Sequence, residues 1–137
     1  MSIGYGGGAR IALQDENTVI YEYSPYNLNK LSCTNEEQIY DGLITINKSV
    51  LIEPEIYEKK KKSPEGKRVS IVKRIRREVD YDFLLSRNEV YIENSSYCWQ
   101  FVGVGKNIGM IAMRIVFYIF DEYQNKGELP EVVSIHW

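Results

Sequence analysis

The sequence has no long apolar run, only two cysteines and a single histidine, and each shortage removes a class of protein. No stretch reaches the roughly 18 uncharged apolar residues of a membrane-spanning helix, so none is expected. The opening residues, Met1-Ser-Ile-Gly-Tyr-Gly-Gly-Gly8, lack the charged segment and apolar core of a secretory signal. Cys33 and Cys98 are too few for a disulfide framework, so two free thiols in a reducing cytoplasm are expected. With His136 alone and no closely spaced cysteine pair, a structural zinc site lacks ligands. The same shortage leaves a serine nucleophile without an imidazole base. No catalytic, cofactor or metal site is therefore expected.

Glycine motifs fail on inspection. Gly4-Tyr-Gly-Gly-Gly8 has no Lys-Ser/Thr after it, and Gly103-Val-Gly105 lacks the third glycine of a dinucleotide turn. Anion binding at the start of the helix that follows is the residual reading there. The carboxylate pairs Asp80/Asp82 and Glu53/Glu55 are open to a divalent cation, but an i, i+2 pair without a third ligand is common by chance. Cys98, between Tyr97 and Trp99, reads as a small buried hydrophobe.

What is present is an ordinary globular composition: 137 residues, 44% apolar and 26% charged, enough for one domain spanning 1–137. Ala9–Gln14 and Thr18–Ser24, split by Asp15-Glu-Asn17, predict a β-hairpin, with Pro25 ending its second strand. Thr34-Asn-Glu-Glu37 has the form of a capping box and predicts a helix of one or two turns ending near Asp41-Gly42. Leu43–Ile46 and Val50–Ile52 read as strands. A long hairpin follows, its tip at Ser63-Pro-Glu-Gly66. Val69, Ile71 and Ile75 share one parity, which predicts a buried face. Tyr81–Leu85 suits a short helical turn, Glu89–Glu93 a half-buried strand, and Tyr97, Trp99 and Phe101 one face of another strand.

The clearest element is a helix from Asn107 to Lys126, with Asn107 as cap and Gly127 as stop. Ile108, Ile111, Ala112, Ile115, Val116, Ile119, Phe120 and Tyr123 give it an apolar face wider than a surface helix needs. Such a helix asks for a second cover beyond the sheet. The N-terminal segment or a partner chain can supply it, including a second copy in a homo-oligomer. Val132–Trp137 closes as a strand. The order predicts an α+β fold: a mostly antiparallel sheet of about five to seven strands with one long C-terminal helix on a face.

Charge is distributed unevenly. Ten of the 17 basic residues lie between Lys59 and Arg77 beside the single carboxylate Glu65, so this segment carries about +9 and the remainder about −11. Such asymmetry points to an interaction surface, with Lys67, Arg68, Lys73, Arg74, Arg76 and Arg77 as the contact residues. The plain alternative is a solvated hairpin whose lysines guard its edges. Nucleic acid is the less favoured partner, because the basic strand Arg68–Ile75 holds no aromatic for base stacking. A metal-binding or enzymatic domain around Asp80, Asp82 and Glu93 is the remaining alternative. In general type, a compact α+β domain of skewed charge without a catalytic signature, the chain resembles the small immunity proteins encoded beside bacterial toxins. No residue motif carries that resemblance. It implies a cytoplasmic inhibitor that occludes a cognate toxin by direct protein contact.

Overall fold

The computed structural model describes residues 4–62, 64–103 and 107–136. In chain order these form β1 (Tyr5–Gln14), β2 (Thr18–Asn27), β3 (Gly42–Asn47), β4 (Glu55–Lys62), β5 (Arg68–Ile75), α1 (Tyr81–Ser86), β6 (Val90–Glu93), β7 (Phe101–Gly103), β8 (Asn107–Gly109), α2 (Met110–Lys126) and β9 (Val132–His136). Five strands make an antiparallel sheet in the order β6-β3-β2-β1-β9, while β4–β5 and β7–β8 are separate two-stranded hairpins. The expected α+β class, the antiparallel sheet and the long helix near the C-terminus are all present.

Alternation explains the sheet. Ala9, Val19, Tyr21, Tyr23, Ile44, Ile46, Val90 and Val133 fall on one face and are buried. Helix α2 covers that face with Ile111, Ala112, Ile115, Val116, Ile119 and Phe120. At Gly7 a Cβ would lie 2.7 Å from Ile111 Cγ2, so glycine is what lets the helix approach the strand here. The second cover comes from within the chain: Leu84 and Leu85 of α1 are buried in the same cluster. The Tyr81 ring packs 4.6 Å from Phe117 and 5.5 Å from Phe120, centroid to centroid. The C-terminal stop is as expected, with Gly127 left-handed at φ 73° and its N–H donated to Tyr123 O.

Five local expectations are corrected. Strand β2 runs through Pro25 to Asn27. The Pro25 carbonyl accepts from Asn35 Nδ2, and N and C=O of a strand residue share a side. The missing N–H thus falls where β3 pairing has already ended. Thr34–Asp41 is not a helix. Asn35 and Gln38 are left-handed (φ 46° and 52°), and buried Asn35 bonds Ser24 Oγ, Pro25 O and Ile39 O, so its tertiary bonds outweigh the local capping pattern. Asn47 accepts from Ser49 N, which turns Lys48–Val50 into a short 3-10 helix and leaves Val50–Ile52 out of the sheet. Asn107–Gly109 is strand, because Asn94 donates to Asn107 O and accepts from Gly109 N; the helix begins three residues later than its expected cap. Of the strand expected from Tyr97 to Gly103, only Phe101–Gly103 forms one, β7.

Two core tyrosines make alkaline stability a test of the packing. Tyr21 donates its hydroxyl to Pro130 O at 2.6 Å, and Tyr23 accepts from Ser95 N at 3.0 Å. Burial pushes both phenols up, Tyr21 well above its ordinary range and Tyr23 to about 12. A phenol raised on folding stabilises fully below its unfolded value and loses that contribution as pH climbs through the folded one. Stability should therefore hold up to about pH 10 and fall steeply toward pH 12, with tyrosinate absorbance rising together with loss of circular dichroism. Full titration of all tyrosines before unfolding would contradict the packing.

Candidate functional site

The segment of highest charge is also the one least covered by the rest of the molecule. In β4–β5 every strand position whose side chain is described is exposed to solvent. The buried face expected for Val69, Ile71 and Ile75 is absent. The sequence held a signal for this. Val72 and Ile56 occupy the opposite parity, so apolar side chains lie on both faces and neither can be the single inward one. Ile56 and Val72 are 64% and 60% exposed, and Tyr57 is 48% exposed.

Cross-strand register sorts the hairpin into two faces. Glu55/Ile75, Tyr57/Lys73 and Lys59/Ile71 pair on one, with Val69 further toward the tip. Ile56/Arg74, Glu58/Val72, Lys60/Ser70 and Lys62/Arg68 pair on the other. On the second face Ser70 Oγ donates to Glu58 at 2.5 Å, and Arg74 reaches back to donate to Asn125 O at the end of α2, also at 2.5 Å. That face leans toward the helix, and the Tyr57–Ile71 face looks away from it. On the outward face Tyr57, Lys59, Ile71 and Lys73 line a shallow recess of about 160 Å³.

The six residues singled out for contact therefore divide. Lys67 and Arg68 stand at the tip, and Lys73 lies on the outward face. Arg74, Arg76 and Arg77 instead fasten the base of the hairpin to α2. Arg76 pairs with Asp121 at 2.5 Å. Arg77 donates its N–H to Gln124 Oε1 at 2.7 Å and accepts from Gln124 Nε2 at 2.8 Å. Gln124 is 1% exposed, so a side chain takes the place of a neighbouring strand for one residue. Nothing in the spacing marked it, since a glutamine at the end of an amphipathic helix normally faces water.

Asp80 caps α1 through Phe83 N at 3.1 Å, and among the described residues no group of three or more His, Cys, Asp or Glu side chains is placed to hold a metal ion. Glu93 lies on the edge strand β6. Both cysteines are free, and burial pushes the Cys98 thiol up, away from the reactive thiolate. His136 is exposed on β9, beside a groove shared with Arg114, Phe117 and Tyr118. Residues 104–106 of the glycine-rich turn lie outside the described residues. Asp41 is the most elaborately bound carboxylate. Burial pushes it up, but bonds from the Ser95 and Ser96 hydroxyls and the Ser96 N–H bring it below its ordinary value. That cluster ties the start of β3 to the segment after β6.

Among the described residues no helix is long and apolar enough to cross a membrane. Compared with family models, with curated proteins and with solved structures, the chain matches none.

Proposed function

We propose that this chain works by binding another protein, and that the β4–β5 hairpin is its contact element. One observation carries the reading: a basic hairpin projects with isoleucine, valine and tyrosine side chains exposed. An isolated two-stranded ribbon is marginal in water, and exposed apolar groups on it gain free energy only when something covers them. In the specific form implied by the resemblance, the partner is a bacterial toxin and the contact neutralises it. The remaining charge of about −11 suits the mouth of a basic nuclease cleft, which gives that form electrostatic support.

The test is co-expression with the product of the adjoining reading frame. A complex that survives size-exclusion chromatography, and cells rescued from that product, are expected. Shortening the hairpin by replacing Lys59–Ile71 with a two-residue Asn-Gly turn, which joins the paired Glu58 and Val72, should abolish both. Lack of both complex and rescue, or a complex indifferent to the deletion, would remove the reading. Nucleic acid is the second reading, favoured by the cluster of ten cations. It requires affinity for an oligonucleotide that falls steeply with salt.

A further inference from the structure

We infer that the docking surface is the outward face of the hairpin, centred on the recess between Tyr57 and Ile71, and that it takes an acidic protein segment carrying one large apolar side chain. This deepens the protein-binding reading and rests on it. The recess, of about 160 Å³, opens to solvent, and all four side chains that line it are exposed. Its walls are two apolar and two cationic side chains, Tyr57 and Ile71 against Lys59 and Lys73, paired crosswise by the register. An apolar side chain seated there buries the tyrosine ring and the isoleucine, while carboxylates on either side of it meet the two lysines. Aromatic anchors that become fully desolvated in a complex are the usual core of an energetic hot spot.

Three further observations narrow the occupant. Along this face the only acidic position is Glu55, at the base, so the ligand's charge must be negative. Apart from Tyr57 the apolar groups are the aliphatic Val69, Ile71 and Ile75. These offer area but no stacking platform, which favours a polypeptide over single-stranded nucleic acid. The apolar groups run from the base as far as Val69, while the last strand pair and the turn carry Lys62, Lys67 and Arg68. A hairpin that entered a bilayer tip-first would need the reverse order. The opposite face is partly committed already, through Arg74 to Asn125 and Ser70 to Glu58.

The experiment uses the intact chain, isotope-labelled, and a short peptide alternating Glu with Leu and Phe, titrated at low and at near-physiological ionic strength. Tyr57, Lys59, Ile71 and Lys73 resonances are expected to move. Tyr57→Thr and Ile71→Thr keep a strand-favouring side chain and should each weaken binding roughly tenfold or more. Val72→Thr and Lys60→Gln, on the other face, should leave affinity within about twofold. Lys59→Gln with Lys73→Gln should flatten the salt dependence. The assignment is overturned if oligoglutamate, a single-stranded oligonucleotide or anionic vesicles bind as tightly, since charge alone would then suffice. Equal loss from Val72→Thr, shifts confined to the body, or self-association through the same residues would overturn it too. Failure here with a hairpin-dependent complex in the co-expression test would cost the docking face alone; failure of that test as well would cost the protein-binding reading.

Discussion

Gln124→Ala should lower the stability of the chain by about 2–3 kcal/mol, because two hydrogen bonds disappear and a fully buried site is left partly empty. For a chain of this length that corresponds to a fall in Tm of about 10 °C. The effect should be two-layered. Urea unfolding reports the loss of core packing around α2, while hydrogen exchange at Arg77 reports the opening of the hairpin base, since its N–H is bonded to Gln124 Oε1. Gln124→Glu separates the two contributions. It preserves the shape, yet at neutral pH its carboxylate has no hydrogen for the Arg77 carbonyl that Gln124 Nε2 now serves. Burial raises such a carboxyl on folding, so the penalty should be smallest in acid and grow as pH rises through the folded value. A Gln124→Ala protein with unchanged urea midpoint and unchanged exchange at Arg77 would show that the clamp is incidental.

Gly42→Ala is the second large effect, and its cause is steric. An added Cβ would lie 2.3, 2.4 and 2.7 Å from atoms of the Tyr23 ring. The ring cannot swing aside, because it is 1% exposed and its hydroxyl is held by Ser95 N. Overpacking of this kind costs about 3 kcal/mol when no flexible side chain can yield. Tyr23→Leu alone should also destabilise, by loss of area and of the bond to Ser95. Combined with Gly42→Ala it should cost clearly less than the sum, because the ring that clashes is gone. Thermal unfolding of the two single variants and the double variant measures that coupling directly. Strict additivity would mean that the strands shift apart instead of colliding.

Most of the fold was legible because it is written in local periodicity. The alternation in β1, β2, β3 and β6 and the 3.6-residue pattern of α2 each require only that one face be dry. What misled was local chemistry overruled from a distance. Thr34 and Glu37 form a good capping pattern, but the adjoining Asn35 is worth more to the protein as the buried partner of Ser24, Pro25 and Ile39. Asn107 is a good cap that spends its carbonyl on Asn94 instead. The candidate site was half legible. Charge located the hairpin, and composition said nothing about which of its cations were free to meet a partner. Alternation puts Arg74 on the face opposite Lys73, but that this is the fastened face depends on where the end of α2 lies, a tertiary fact. Tyr57 and Ile71 were hidden by the ordinary expectation that alternating apolar residues are buried.

The attachment of the hairpin has a mechanical consequence. Its eight-residue strands extend about 27 Å at the usual rise of 3.4 Å per residue, while the fastenings at its base, to Asp121, Gln124 and Asn125, span barely more than one helical turn. The ribbon is thus a long lever on a short hinge, and a small rotation at the hinge sweeps the lysine tip through a wide arc. The volume searched by the tip is set by the stiffness of the clamp more than by the ribbon itself. Loosening Gln124, a side chain buried away from the ribbon's surface, should therefore widen the arc that the tip sweeps.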